Sequence, residues 1–184
     1  MLRITGGSAR GRSIKLPPGD VRPAMARARI SLFDYLADLV NASRVIDLYC
    51  GSGSLGFEAL SRGASTIEFV DNSAKVLKIT KDNADHLGFG DQSNFIRSDV
   101  FQYISNFNAA YHEEFDIAFA SPPYSISEPD KIMEQLHESQ MLRIGGSLCV
   151  EYPRFNQAAA AEHFKLDRQK RYGTTVLEVW SYAP

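Results

Sequence analysis

Apolar residues in this chain follow two recurring patterns. Short runs rich in β-branched and aromatic residues, at 45–49, 66–70, 94–97, 115–120 and 147–151, read as buried strands. Between them, at 57–62, 73–87, 100–107 and 128–142, apolar positions return every three or four residues, as in helices with one face on a core. An earlier helix is expected from about 24 to 40, where Ile30, Leu32, Phe33, Leu36, Leu39 and Val40 recur behind Pro23 in its first turn. Alternating strands and helices predict an α/β fold with a largely parallel sheet, right-handed crossovers and helices on both faces. The end of the chain departs from that alternation. Residues 164–173 and 174–181 read as two antiparallel strands meeting at Tyr172-Gly173.

Chemistry-bearing residues gather where these strands end. Asp47 stands at the end of the first, just ahead of Gly51-Ser52-Gly53-Ser54-Leu55-Gly56. Gly51 and Gly53 let backbone amides approach a ligand, and Gly56 lets the next helix lie close to the strand. This spacing also serves nicotinamide enzymes and ordinary α/β turns. Asp71, followed by Asn72, ends the second strand, where a carboxylate can accept hydrogen bonds from ribose hydroxyls. Asp99 ends the third; it can accept from an adenine amino group, cap the following helix, or do both. The fourth ends in Ser121-Pro122-Pro123-Tyr124, which should face the glycine loop because ligands of open α/β sheets collect beyond the carboxyl ends of the strands. The prolines offer carbonyl oxygens without N–H groups, Ser121 a hydroxyl, and Tyr124 a flat ring.

With 184 residues and 44% hydrophobic content the chain fits one domain with a substantial core. No apolar run approaches membrane-spanning length and the N-terminus lacks a signal-peptide core, so a cytoplasmic protein without membrane association is expected. Cys50 and Cys149 read as reduced thiols, and four scattered histidines offer no metal-ligand set. The net charge of -2 conceals an asymmetry: residues 1–30 hold seven Lys/Arg against Asp20, and the remainder thirteen against twenty-one. Residues 1–20 are expected to form a basic arm facing RNA, ahead of a single domain at 21–184. The candidate phosphate contacts are Arg3, Arg10, Arg12, Arg22, Arg27 and Arg29.

Ser121-Pro122-Pro123-Tyr124 resembles the Asp/Asn/Ser-Pro-Pro-aromatic signature of amino-group methyltransferases that use S-adenosylmethionine. Nearly end to end, the chain resembles the bacterial 16S ribosomal RNA guanine-N2 methyltransferases. The likeness is carried by Arg3-Ile4-Thr5-Gly6-Gly7, Arg10-Gly11-Arg12, Arg22-Pro23, the glycine loop, Glu58-Ala59-Leu60-Ser61-Arg62-Gly63-Ala64 and Arg171-Tyr172-Gly173-Thr174. The resemblance implies a Rossmann-like class I methyltransferase fold of seven strands. It implies S-adenosylmethionine held by Asp47, Gly51, Gly53, Gly56, Asp71, Asn72 and Asp99, with S-adenosylhomocysteine as product. Ser121, Pro122, Pro123 and Tyr124 would present a guanine of small-subunit ribosomal RNA, naked or in the 30S particle, to a monomeric enzyme. The chain departs from the family at Ser121, where Asp or Asn is usual, and at Ala24 and Ile30. Three alternatives stay in view: a nicotinamide-dependent oxidoreductase, disfavoured by Ser121-Pro122-Pro123-Tyr124 and the terminal hairpin; a methyltransferase of cytosine N4 or adenine N6; and, motivated by these departures, a catalytically weakened RNA-binding protein of ribosome assembly.

Overall fold

The computed structural model describes residues 2–18, 25–123, 129–153 and 162–184. Two short strands, β1 (Leu2–Arg3) and β2 (Ser13–Ile14), precede helix α1 (Met25–Tyr35). There follow β3 (Arg44–Leu48), α2 (Ser54–Ser61), β4 (Thr66–Asp71), α3 (Ala74–Leu87), β5 (Ser93–Arg97), α4 (Val100–Ser105) and β6 (Phe115–Ala120). The chain closes with α5 (Pro129–Ser139), β7 (Leu142–Pro153), β8 (Phe164–Tyr172) and β9 (Thr175–Tyr182).

Seven strands form one sheet in the order β5-β4-β3-β6-β7-β9-β8. The first five are parallel neighbours; β9 runs antiparallel to β7, and β8 antiparallel to β9. This is the expected sheet with its C-terminal hairpin. The chain steps outward from β3 to β5, then returns across the sheet to place β6 on the other side of β3. That reversal leaves a crevice beyond the strand ends, the usual ligand position in such sheets.

Strand alternation explains how the core divides. Val45, Ile67, Phe69, Ile117, Phe119 and Cys149 join one cluster with residues of α1, α2 and α3; Ile46, Val70, Ala118, Ala120, Leu148 and Val150 join the other with residues of α4 and α5. Both faces are covered, so the strands carry apolar residues at consecutive positions.

The segment expected as an arm is, over residues 2–18, a docked hairpin. Ile4, Ala9 and Ile14 are buried in the core cluster beneath α1 and α2. Ser8 N donates to Ser61 O at 2.7 Å, and a side chain at Gly7 would collide with that carbonyl. Glu58, 0% exposed on α2, holds the hairpin more firmly. Its carboxylate accepts from Thr5 N (2.9 Å), Thr5 Oγ1 (2.5 Å), Gly6 N (2.8 Å) and Arg62 Nε (3.0 Å), and Arg29 Nε lies 3.3 Å away.

Candidate active site

Four strand ends and the turn after β3 enclose a cavity of about 460 Å³, within the range of small-molecule pockets (about 300–1,000 Å³). Its wall includes Asp47, Tyr49, Gly51, Asp71, Asn72, Asp99, Ser121, Pro123 and Glu151. The turn is abrupt: Tyr49 has φ of 60°, a left-handed conformation costing a side-chain-bearing residue about 1–3 kcal/mol, and Gly51 follows at 54°.

The three loop glycines divide into two roles. Gly51 lines the cavity, and its N–H donates to Asp71 Oδ2 at 3.3 Å. Gly53, expected against the ligand, and Gly56, which the resemblance places with the cofactor, are absent from the wall. A Cβ on Gly53 would stand 2.6 Å from Phe57 Cε2, and one on Gly56 would stand 2.2 Å from Ile67 Cδ1. These two therefore let α2 approach the sheet, as the sequence reading expected for Gly56, and Gly53 begins the helix at φ 75°.

Asp71 Oδ1 also accepts from Ser73 N at 2.9 Å, while Asp99 caps α4 by accepting from Gln102 N at 3.1 Å. Carboxylate oxygens each have two acceptor sites, so these bonds leave capacity for ribose hydroxyls or an adenine amino group. The cavity's size and its acids at adjacent strand ends thus fit S-adenosylmethionine. Asp47 is 2% exposed and accepts from Gly56 N at 3.1 Å. Burial pushes its carboxyl well above the usual range; the Gly56 bond opposes this and nearby Asp71 reinforces it. Cys50 is likewise held as a neutral thiol by burial, with Asp47 and Asp71 adding to the effect.

The Asp47 shift has a stability consequence. A carboxyl with a raised folded-state pKa binds more protons folded than unfolded, so stability falls as pH rises from the ordinary carboxylate value, about 3.9, toward the folded one. Asp47→Asn should be near neutral in acid and gain stability relative to the parent through that window, then level off. Urea unfolding of both proteins across pH tests this; a pH-independent difference would contradict it.

On the acceptor side, Ser121 N donates to Leu48 O at 3.4 Å, and Ser121 Oγ is buried with no hydrogen-bond partner among the described residues. Pro123 lines the cavity, whereas Pro122 is buried and does not. Tyr124 lies outside the described residues, as does Arg22. Glu151, 6% exposed at the end of β7, was not singled out by the sequence reading. Ala120 pairs with Val150, so Ser121 and Glu151 are the next residues on neighbouring parallel strands, with side chains on one face of the sheet. The available signal was an acid following the apolar run 147–150, the same cue that identified Asp71.

Thr80 and Asn83 were also missed. Both are buried on α3, where Thr80 Oγ1 donates to Gly51 O at 2.7 Å and Asn83 Nδ2 to Ser52 O at 3.1 Å. They brace the glycine loop from behind, and their signal is a pair of polar residues inside the apolar stripe Leu77, Ala84, Leu87.

Several of the expected phosphate contacts have intramolecular partners. Arg29 is 3% exposed and faces Glu58, with Nη2 donating to Arg3 O at 2.8 Å; burial lowers its pKa while Glu58 opposes the shift. This corrects its expected surface position. Arg12 donates to Leu87 O (2.9 Å) and His86 O at the end of α3, and Arg3 to Gly11 O (2.7 Å). Arg10 and Arg27 are exposed.

A model of the family described as conserved hypothetical protein 95 matches residues 2–181. Bacillus subtilis YlbH is 30% identical over 97% of this chain and 98% of its own length. The Haemophilus influenzae ribosomal RNA small subunit methyltransferase D is 28% identical over 94% of this chain and 89% of its own. Among solved structures, Escherichia coli yhhF superposes with a TM-score of 0.88 at 25% identity, covering 99% of this chain and 98% of that one.

Proposed function

The chain belongs to the conserved hypothetical protein 95 family and has the class I methyltransferase fold, and from that premise we propose that it methylates the exocyclic N2 amino group of a guanine in 16S ribosomal RNA. The relative named ribosomal RNA small subunit methyltransferase D supports the RNA class; the choice of guanine N2 rests on the motif resemblance in the sequence. The enzyme is read as a cytoplasmic monomer acting on small-subunit RNA or the 30S particle.

The observation that carries this reading is Ser121 Oγ, a buried hydroxyl without a partner among the described residues, on the wall of a cavity that has acids at its other strand ends. Buried polar atoms are ordinarily paired, and a substrate amino group would complete this one. When bound, S-adenosylmethionine supplies an electrophilic methyl carbon on a sulfonium sulfur and leaves as S-adenosylhomocysteine. Asp71, Asn72 and Asp99 hold its nucleoside, while Gly51, Asp47 and the turn at Tyr49 shape the space beside it. An amino nitrogen conjugated with a base ring is a poor nucleophile. Ser121 Oγ and the Glu151 carboxylate accept its two N–H bonds, turning the lone pair out of conjugation and toward the methyl carbon, and Glu151 takes the proton the nitrogen sheds. Tyr124 stacks on the base once it has left its helix. Alignment of this kind is worth roughly 7–11 kcal/mol when well oriented.

Loss of charged-group hydrogen bonds in Asp71→Ala should weaken S-adenosylmethionine binding by about 1.5–3 kcal/mol. Calorimetric titration measures this; an unchanged affinity would remove Asp71 from the donor site. Incubation of unmodified small subunits with labelled S-adenosylmethionine tests the reaction itself, with label in RNA expected and unlabelled RNA counting against it.

A further inference from the structure

Among the described N-terminal arginines Arg29 is buried and Arg3 and Arg12 donate to backbone carbonyls, and another basic element lies beside the cavity. Strand β8 carries Lys165, Arg168, Lys170 and Arg171 against Asp167, in a chain of net charge -2. It is the outermost strand of the sheet. Lys165, Lys170 and Arg171 are exposed and Arg168 is half-buried.

Two of these cations are positioned by α1. Lys170 Nζ donates to Ser31 Oγ at 2.9 Å; Arg168 Nη2 reaches the same oxygen at 3.5 Å, and its guanidinium carbon lies 5.2 Å from the centre of the Tyr35 ring. Arg27 stands four residues before Ser31 and so shares its helix face. Strand register connects this face to the active site. Leu177 pairs with Glu151 on one side and with Lys170 on the other, so the Lys170 backbone lies about 10 Å, two strand spacings, from that of a cavity residue. Alternation directs all three side chains to the α1 face, and Leu177 is part of the core beneath α1.

We propose that Lys165, Arg168 and Lys170 of β8, together with Arg27, form a phosphate-binding face that grips the RNA backbone while one base enters the cavity, an inference that rests on the RNA methylation reading above; Arg171, opposite Val176 of the other core cluster, points to the far side of the sheet. Each neutralised phosphate releases condensed counterions, so a face of this kind steepens the salt dependence of binding without touching the methyl donor.

The test is RNA affinity as a function of salt for the full chain on unmodified small-subunit RNA. The triple substitution K165Q/R168Q/K170Q should reduce the slope of log affinity against log salt by roughly two to three units, with S-adenosylmethionine affinity unchanged. K165Q/R168Q leaves the Lys170 contact to Ser31 in place and should reduce it by roughly one and a half. A triple of equal charge on α3, K75Q/K78Q/K81Q, should keep the parent slope. Parent-like slopes for both β8 variants, in a protein that still methylates RNA, would overturn the proposal and leave the reaction standing. An equal loss from the α3 triple would also overturn it, by making the effect one of net charge. A parent that neither binds nor methylates RNA would overturn both.

Discussion

Replacing Glu58 by alanine is expected to lower unfolding free energy by about 3–5 kcal/mol, the usual cost of removing one partner from a buried ion pair. The size follows from what the carboxylate serves: Arg29, 3% exposed, the Arg62 guanidinium, and the amides of Thr5 and Gly6. Without Glu58 the Arg29 charge stays buried and the hairpin loses its main polar attachment to α2. For a chain of this size the change corresponds to a fall in melting temperature of roughly 6–20 °C. Glu58→Ala combined with Arg29→Met should recover part of the loss, because it removes the stranded charge as well. Thermal unfolding measures both effects, and hydrogen exchange at Thr5 and Gly6 shows whether the hairpin loosens first. A single-variant loss below about 1 kcal/mol, the scale of a surface ion pair, would contradict this description of the packing.

The second large effect concerns the chemical step. Glu151→Gln keeps the size of the side chain and removes its charge, so it weakens the acceptor bond and abolishes the proton acceptor. Hydrogen bonds to charged groups are worth about 1.5–3 kcal/mol, which predicts a decrease in single-turnover methyl transfer of roughly ten- to a hundredfold. Ser121→Ala removes a neutral acceptor worth about 0.5–1.5 kcal/mol and should slow the step by roughly tenfold or less. Because the proposed reaction has both residues act on the substrate amino group, donor affinity should stay at the parent level in each case. Equal turnover in parent and Glu151→Gln would exclude the carboxylate from the reaction. Glu151 also bears on the departure at Ser121. A chain with serine before Pro-Pro has a second acceptor one strand away, so Ser121→Asp would set two carboxylates against one cavity and raise the pKa of at least one of them.

Much of this architecture could be read along the chain because each parallel strand is buried on both faces and then stops. Val45, Ile67, Phe69, Ile117 and Phe119 mark the strands, and the acids or Pro-Pro that end them fall at the rim that lines the cavity. Contacts between segments distant in sequence were less legible. Nothing local to Thr5 or Gly6 specifies a partner more than fifty residues away, so the hairpin looked like a free arm. Arg29 lies within a basic run, and only the approach of α2 shows that it is committed to Glu58. Gly53 and Gly56 illustrate the ambiguity of a glycine motif: close approach to a ligand and close approach to Phe57, Ile67 or Phe69 make the same demand on sequence. The cations of β8 were hidden inside an acidic total for residues 31–184 and gained meaning when β9 set Lys170 two strands from Glu151.

The central claim is the identity of the methylated atom. Small subunits lacking the modification, incubated with this protein and labelled S-adenosylmethionine, can be digested to nucleosides and resolved by mass spectrometry. Label is expected in N2-methylguanosine from 16S ribosomal RNA, greatly reduced by Glu151→Gln and reduced to a lesser degree by Ser121→Ala. Label in N4-methylcytidine or N6-methyladenosine, or RNA that binds the protein and stays unmethylated, would contradict it.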